Sequence, residues 1–404
     1  MVKLAIDGGR KTFQEPPVLN PVLRTYPETA ALLNEIYFSK NWSFYGKYEN
    51  ELAVKFAAYQ TAGYGIFMVN GTVTLECALQ ALGVGRGDEV IVPAYTWIAT
   101  GMAPLYVGAA PVIVDVEPDT LCMDPGALEA AITSRTKAVI PVHLFGSMAD
   151  MEKIMAIARK HDLKVIEDCA HSHGGFWDGK GTGSVGDIGS FSFQQSKLMT
   201  AGEGGFCTTN DPELFDRLGR LKHIGYQQGS KQGKSASPPT EGLLCHNYRA
   251  TEFQAAILLG QLEHLGEDTA LREKNALYFQ SLLEKIPGLT CQKRGRLATV
   301  QSYYFFVLML EKGALKAGKT RLDVMNALAA EGAAGIGPIW GKAIFEHPLW
   351  NVPKNQYRLE SSQVAQNFIE HQELVLGASW LMGDTENLDL LAEALTKVMA
   401  VYGA

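Results

Sequence analysis

Between residues 65 and 167, short apolar runs alternate with stretches whose apolar positions recur at helical spacing. Val90-Ile91-Val92-Pro93, Ala138-Val139-Ile140-Pro141-Val142 and the Val165-Ile166 pair are apolar on both faces, without the alternation of a half-solvated strand. Such runs, separated by helical segments, predict a mostly parallel sheet covered by helices on both sides. The expected strands are Gly65–Val69, Glu89–Val92, Pro111–Val114, Lys137–His143 and Lys164–Glu167. The helices between them are Thr74–Leu82, Ile98–Tyr106 and Met151–His161. Two earlier helices are expected over Glu28–Phe38 and Tyr48–Tyr59, the second with Leu52, Phe56 and Tyr59 at helical spacing.

From Gly181 to Thr209 the pattern changes to short, closely spaced strands, and Asp211–Leu221 is helical again. Residues 225–242 are rich in Gly, Ser, Lys and Pro and read as a loop. A long helix is expected from Ala250 to about Lys285, with Phe253, Ala256, Ile257, Leu259 and Leu262 at helical spacing. Beyond Pro287 the pattern predicts a smaller α+β unit. Its strands are Tyr303–Leu310 and Leu374–Ala378, and its helices are Arg321–Glu331, Ser361–Phe368 and Leu388–Val401. The expected organisation is an N-terminal arm over 1–25, a large domain over 26–250, a connecting helix over 251–286 and a small C-terminal α+β domain over 287–404.

Composition narrows the functional classes. The chain has 404 residues, 47% of them hydrophobic and 20% charged, which is ample for a sizeable core. No run of apolar residues is long enough for a membrane span. The first residues include Asp7 and lack an apolar core segment, so no signal peptide is expected. A net charge of -7 argues against a nucleic-acid surface. The six cysteines are widely separated, with no C-x-x-C pair, so neither a metal site nor a disulfide framework is expected. Reduced thiols in a cytoplasmic protein are the natural reading.

In a parallel α/β sheet, ligands bind where the carboxyl ends of strands meet helix N-termini. Four such junctions carry suggestive residues. At Asn70-Gly71-Thr72, Gly71 lets the backbone approach a ligand closely, and the free amides and the Thr72 hydroxyl suit a phosphate. After the strand at 89–92, Trp97 is either a core residue or a flat wall for an aromatic ligand. At the end of the strand at 164–167, Asp168 is either a helix N-cap or a carboxylate holding a cationic ring nitrogen. His171, just beyond, reaches a ligand oxygen or merely packs. The stretch from Gly189 to Phe206 carries Ser192, Gln194 and Lys197 before a glycine-rich turn. A lysine desolvated there loses pKa and becomes an amine nucleophile. A phosphate cradle, a stacking wall, a carboxylate and a lysine together match pyridoxal 5'-phosphate (PLP).

Four motifs in order sharpen this reading: NGTVTLECALQALGVGRGDEVIVPAYTWIAT, VIEDCAHSHG, GSFSFQQSKLMTAGEGG and NYRATEFQAAILLGQL. Together they closely resemble the DegT/StrS family of PLP-dependent sugar and aminocyclitol aminotransferases. The resemblance spans roughly residues 20–400. It implies the PLP fold type I, or aspartate aminotransferase-like, architecture. It also implies that Lys197 forms the internal aldimine, that Asp168 pairs with the pyridine nitrogen and that Trp97 stacks on the ring. Gly71, Thr72 and Ser192 are implied to hold the phosphate, with His171 near the phenolic oxygen. Asn247, in the NYR motif, is implied to reach the partner's cofactor phosphate across a homodimer with shared active sites.

Sugar-nucleotide members commonly carry a histidine two residues after the motif serine, where this chain has Gln194. The stretch is similar to the branch with the glutamine:scyllo-inosose aminotransferases and aminohydroxybenzoate synthase, which act on six-membered carbocycles. A neutral amide that both donates and accepts suits a polyol ring or an amide donor. That branch often has a His pair near its last strand, where this chain has Gly377-Ala378. The expected reaction moves an amino group from L-glutamine or L-glutamate to a ketone on a cyclitol, as in aminocyclitol antibiotic biosynthesis. The alternatives are a nucleotide-keto-sugar aminotransferase and an aminohydroxybenzoate-synthase-type enzyme. The rival from another class is a regulatory protein that binds PLP or a sugar without turnover, against which Lys197 and Asp168 together argue.

Overall fold

A computed structural model describes residues 2–44, 46–227, 230 and 242–404. The loop expected over 225–242 lies largely outside the described residues. Helices α1 (Pro27–Ser39) and α2 (Lys47–Tyr59) precede the first strand. The alternating region follows as β1 (Tyr64–Met68), α3 (Gly71–Ala81), β2 (Glu89–Pro93), α4 (Ile98–Tyr106), β3 (Ala110–Val114), α5 (Pro125–Ala130), β4 (Thr136–Val139), α6 (Met151–Lys160) and β5 (Lys164–Asp168). The short strands are β6 (Phe176–Trp177), β7 (Lys180–Gly181), β8 (Ile188–Ser192) and β9 (Gly205–Thr209). Helices α7 (Pro212–Lys222) and α8 (Glu252–Leu283) lead into β10 (Leu289–Cys291), β11 (Ala298–Val300), β12 (Phe305–Leu310) and α9 (Arg321–Ala330). The chain closes with β13 (Arg358–Leu359), α10 (Gln363–Asn367), β14 (Glu373–Gly377) and α11 (Glu386–Tyr402).

The large sheet has eight strands in the order β1-β9-β8-β5-β4-β2-β3-β13. Only β9 runs against the rest, pairing antiparallel with β1 on one side and β8 on the other. The strands are apolar because both faces are covered: β2 is buried at all five positions. The expected strand over Lys137–His143 stops at Val139, because Pro141 has no N–H to give to the ladder. Ile140 still donates to the Ile91 carbonyl, and the backbone continues beside β5 as far as His143.

Strand β13 was not expected. It comes from the C-terminal part of the chain and pairs parallel with β3 at the edge of the large sheet. The Asp115 carboxylate docks this segment by accepting the amides of Val364 (2.8 Å) and Ala365 (3.0 Å) at the start of α10. Helix α10 then widens into a π-helical turn over Phe368–Gln372, a feature that a 3.6-residue period does not register. Ile344, Trp350, Ala365 and Phe368 are buried in the core of the large sheet.

The small sheet, β10-β12-β14, has its own core with α8, α9 and α11. The N-terminal arm is tied to this core. Leu4 and Phe13 are buried in it, and Glu331 accepts the amides of Ala5 (2.7 Å) and Thr12 (3.0 Å). Helix α8 spans 32 residues, about 48 Å at 1.5 Å per residue, and starts in a Thr251–Gln254 capping box. Its first half packs on an aromatic cluster of Phe56, Phe67, Phe191, Phe193 and Phe206, and its second half buries Ala276, Phe279 and Leu283 in the small core. Near the ligand end of the large sheet, the Tyr95 hydroxyl donates to Glu373 at 2.6 Å, tying the loop after β2 to β14. Among the described residues, no helix is long and apolar enough to cross a membrane.

Candidate active site

Side chains alternate along β5, so its last two residues face opposite ways. Glu167 is fully buried. It accepts the amides of Gly183, Val185 and Gly186 and pairs with His143 Nε2 at 2.9 Å. Asp168 instead lines a cavity of about 660 Å³ at the carboxyl end of the sheet. Its Oδ2 accepts from the Thr100 hydroxyl at 2.8 Å and its Oδ1 from the Ala170 amide at 3.2 Å. Thr100 spends its proton on Asp168, so the 3.1 Å contact with Thr96 has Thr96 donating. This short chain of hydroxyls fixes the carboxylate's direction. Burial holds Asp168 above the usual carboxylate range, against the donors on Thr100 and Ala170 and the charge of Lys197. A buried carboxylate held that way is stabilised by a cation placed beside it.

The next wall comes from β8 and β1. Gly205 is the register partner of both Ser192 and Met68, so the carboxyl ends of these strands lie level. The chain leaves β1 through Asn70, whose side chain caps α3 by accepting from Val73 at 3.0 Å. The amides of Gly71 and Thr72 have no internal acceptor among the described residues and face the cavity as free donors. Ser192 Oγ accepts from the Gln194 amide at 3.4 Å, which leaves its own proton for a ligand. A Cβ on Gly71 would lie 2.6 Å from the Ser192 Cβ, so the two strands' ends approach this closely only because residue 71 is glycine.

Lys197 lies in the turn after β8 and lines the same cavity. Burial lowers its amine to about 8, partly offset by the charge of Asp168. Its Nζ sits 4.9 Å over the ring of Tyr304. His171 stacks on Tyr304 (4.4 Å between ring centres) and lies near-parallel to Phe145 (5.8 Å). Its Nδ1 accepts the Phe145 amide at 3.4 Å, which assigns its proton to Nε2. Burial pushes His171 well below the usual histidine range, so the ring is neutral. Trp97 is 43% exposed and close to the rings of Trp340 (6.4 Å) and His347 (5.8 Å). It stands at the cavity mouth, so the core-tryptophan alternative is set aside.

Of the nine residues singled out from the sequence, eight line this cavity: Gly71, Thr72, Trp97, Asp168, His171, Ser192, Gln194 and Lys197. Asn247 does not. It is exposed, in a bridge to His223, and does not line the cavity of its own chain. Thr96, Thr100, Tyr304 and Trp340 also line the cavity and were not singled out. Thr100 lies in the first turn of α4 and Thr96 just before its N-cap, so helical spacing does not join the two. Tyr304 and Trp340 arrive from the C-terminal third of the chain: Tyr304 falls in the expected strand over Tyr303–Leu310, but nothing in that pattern brings it to the carboxyl end of the large sheet.

Comparison with known proteins agrees with this geometry. The family model for the DegT/DnrJ/EryC1/StrS aminotransferase family matches residues 25–394. An L-glutamine:2-deoxy-scyllo-inosose aminotransferase from Streptomyces kanamyceticus is 35% identical over 98% of this chain and 97% of its own length. A putative L-glutamine:3-amino-2,3-dideoxy-scyllo-inosose aminotransferase from Streptoalloteichus tenebrarius is 36% identical over the same shares. The crystal structure of 3-amino-5-hydroxybenzoic acid synthase superposes with a TM-score of 0.84 at 29% identity, covering 96% of this chain and all of that one. The large sheet, the small sheet and the cavity between them are those of PLP fold type I, as the motifs implied. The chain belongs to the DegT/DnrJ/EryC1/StrS aminotransferase family and is a PLP-dependent aminotransferase.

Proposed function

We propose that this enzyme moves an amino group from L-glutamine or L-glutamate to the ring ketone of a polyhydroxylated cyclitol. The observation that carries the proposal is the convergence of Lys197, Asp168 and the Gly71–Ser192 cradle in one cavity. The acceptor class rests on the relatives' names and on Gln194. The likeness to 3-amino-5-hydroxybenzoic acid synthase also favours a six-membered carbocycle.

The cavity fits PLP. A Cβ at residue 71 would intrude on the strand-end cradle, the amides of Gly71 and Thr72 have no acceptor among the described residues, and the buried Asp168 carboxylate is held above its usual range. When bound, PLP supplies an aldehyde for the amine and a ring that takes up an electron pair. The remaining work belongs to the chain. The amides of Gly71 and Thr72 and the hydroxyls of Thr72 and Ser192 would hold the phosphate. Asp168 would keep the ring nitrogen protonated, and Trp97 would cover the ring's face. His171 would donate from Nε2 to the ring oxygen. Lys197 Nζ would be the covalent attachment point. With its amine free, Lys197 would take up and return the proton that leaves the donor's α-carbon. An amine at about 8 is well placed to do both near neutral pH.

The proposal includes a homodimer in which Asn247 completes the neighbour's phosphate site. Its exposed position away from its own chain's cavity supports this, as do the exposed aromatic side chains Tyr37, Phe38 and Trp42. A cytoplasmic location fits the buried thiols of Cys77, Cys122, Cys169, Cys207 and Cys291, which form no disulfide among the described residues.

The test is a donor and acceptor screen on purified holoenzyme beside Lys197→Ala. The wild type should convert its cofactor to the pyridoxamine form with L-glutamine or L-glutamate and regain the aldehyde with a ketocyclitol. Lys197→Ala should lose turnover by at least about 10⁴-fold and leave no cofactor attached after borohydride. Turnover retained in Lys197→Ala would refute the lysine's assignment. Recovery of the aldehyde form only with nucleotide keto sugars would refute the cyclitol.

A further inference from the structure

The contacts of Gln194 determine which way its amide points. Its Oε1 lies 2.9 Å from the Ser196 amide nitrogen. A backbone N–H only donates, so the side-chain atom it meets must be the carbonyl oxygen. The Ser196 hydroxyl lies 2.7 Å from the same oxygen and must donate to it as well. That spends the only proton Ser196 has. The 2.9 Å contact between Ser196 Oγ and the Tyr304 hydroxyl therefore runs with Tyr304 donating. One backbone amide thus sets the polarity of the whole relay, Tyr304 to Ser196 to Gln194.

The relay joins two parts of the molecule. Gln194 and Ser196 lie in the turn after β8 of the large sheet, while Tyr304 immediately precedes β12 of the small one. Tyr304 is 7% exposed, stacked on His171 and under the Lys197 amine, so its ring has little freedom to release the serine. Gln194 lines the cavity, and its Nε2 donates to no described residue.

The geometry points to a specificity device: the Tyr304–Ser196 relay locks Gln194 as a donor-only contact, so the acceptor must present an oxygen lone pair there and not an ammonium. An amide free to rotate would read either group. A locked one meets a hydroxyl or carbonyl oxygen favourably and an ammonium, which has protons and no lone pair, unfavourably. Gln194 is the contacting group, and Ser196 and Tyr304 are positioning residues. The inference rests on the cyclitol reading above and narrows it to ketones without an amino substituent at that point of the ring.

The test uses two ketones, 2-deoxy-scyllo-inosose and its counterpart 3-amino-2,3-dideoxy-scyllo-inosose, with holoenzyme preloaded in the pyridoxamine form. The readout is the ratio of kcat/KM for the two. The wild type should favour the unaminated ketone by about tenfold or more, the scale of one mismatched hydrogen bond. Gln194→Glu, which only accepts, should reverse or abolish that preference, chiefly through KM. Ser196→Ala removes one of the two donors on Oε1 and the link to Tyr304, leaving the backbone amide alone to hold the carbonyl, and should shrink the ratio several-fold, whereas Ser196→Thr should restore it. Tyr304→Phe should shrink it less. All variants should keep the wild-type melting temperature and cofactor spectrum, which separates the effect from misfolding. A wild type that favours the aminated ketone would overturn the inference, as would a ratio unchanged in Gln194→Glu or Ser196→Ala. The donor half-reaction is scored separately. If the wild type performs it but uses neither ketone, the cyclitol reading fails and this inference with it. If it does not perform the half-reaction, the failure lies with the assigned reaction.

Discussion

At the scale of single residues, Lys197 sets the pH dependence expected of the site. Lys197 is lowered to about 8 by burial, with Asp168 opposing. Below that pH its amine is a cation and cannot attack an aldehyde; above it the free amine dominates. The rate at which cofactor-stripped protein captures PLP should therefore rise with pH and level off above an inflection near 8, followed as the visible band grows. An inflection near 10 would show a solvated lysine. The same shift has a stability sign. Between about 8 and 10.5 the unfolded chain holds a proton on this lysine that the folded chain has released. The contribution of this group to stability therefore rises with pH across that window, and Lys197→Met should remove the rise. That Lys197 would lie at the cavity was legible, because the motif around it resembles a known one. The donor polarity of Gln194 was not: the sequence admits an amide that donates and accepts, and only the spatial meeting with Ser196 and Tyr304 removes one choice.

At the scale of elements, the junction of β1 with α3 makes the sharpest demand on the sequence. Gly71 begins the helix with no room for a Cβ, which would meet the Ser192 Cβ at 2.6 Å and its Cα at 3.1 Å. Gly71→Ala should push the first turn of α3 away from β8. The expected result is a loss of about 1–3 kcal/mol in stability, as for other overpacked sites, and PLP affinity weaker by at least tenfold. Gly85→Ala is the control, since its Cβ would meet only the Val107 carbonyl oxygen at 3.8 Å. Equal PLP affinity in the two variants, measured by equilibrium titration, would count against the cradle. The elements around this junction were legible because periodicity and turn residues agree there: α4 is found over the expected Ile98–Tyr106. Where one residue overrides a run, the reading fails. Pro141 cuts β4 short, and β13, only two residues long, has no pattern to detect.

At the scale of the whole molecule, the two sheets and the long helix joining them were legible because each leaves a long periodic record. What the record lacks is the return of residues 337–369 to the large sheet. That return is held by side-chain oxygens, such as Asp115 on the α10 amides and Glu373 on Tyr95 and the Ile339 amide. These contacts bring Trp340 to the cavity, and they have no local signature. In the proposed homodimer the same limit would apply between chains. Asn247 is exposed and does not line the cavity of its own chain, while every other residue singled out from the sequence lines it. In a two-fold dimer, the surface that offers Asn247 to the neighbour also receives the neighbour's Asn247. Each active site would then need Lys197 from one chain and Asn247 from the other. Neither Lys197→Ala nor Asn247→Ala homodimers should approach wild-type turnover. Unfolding and refolding an equal mixture should produce mixed dimers as about half of the population. In each, one site carries both defects and the other carries none, so the mixture should recover about a quarter of the wild-type sites. Those sites should have wild-type KM values, because they are chemically intact. Activity no greater than the average of the two single variants would show that Asn247 serves its own chain or no site at all.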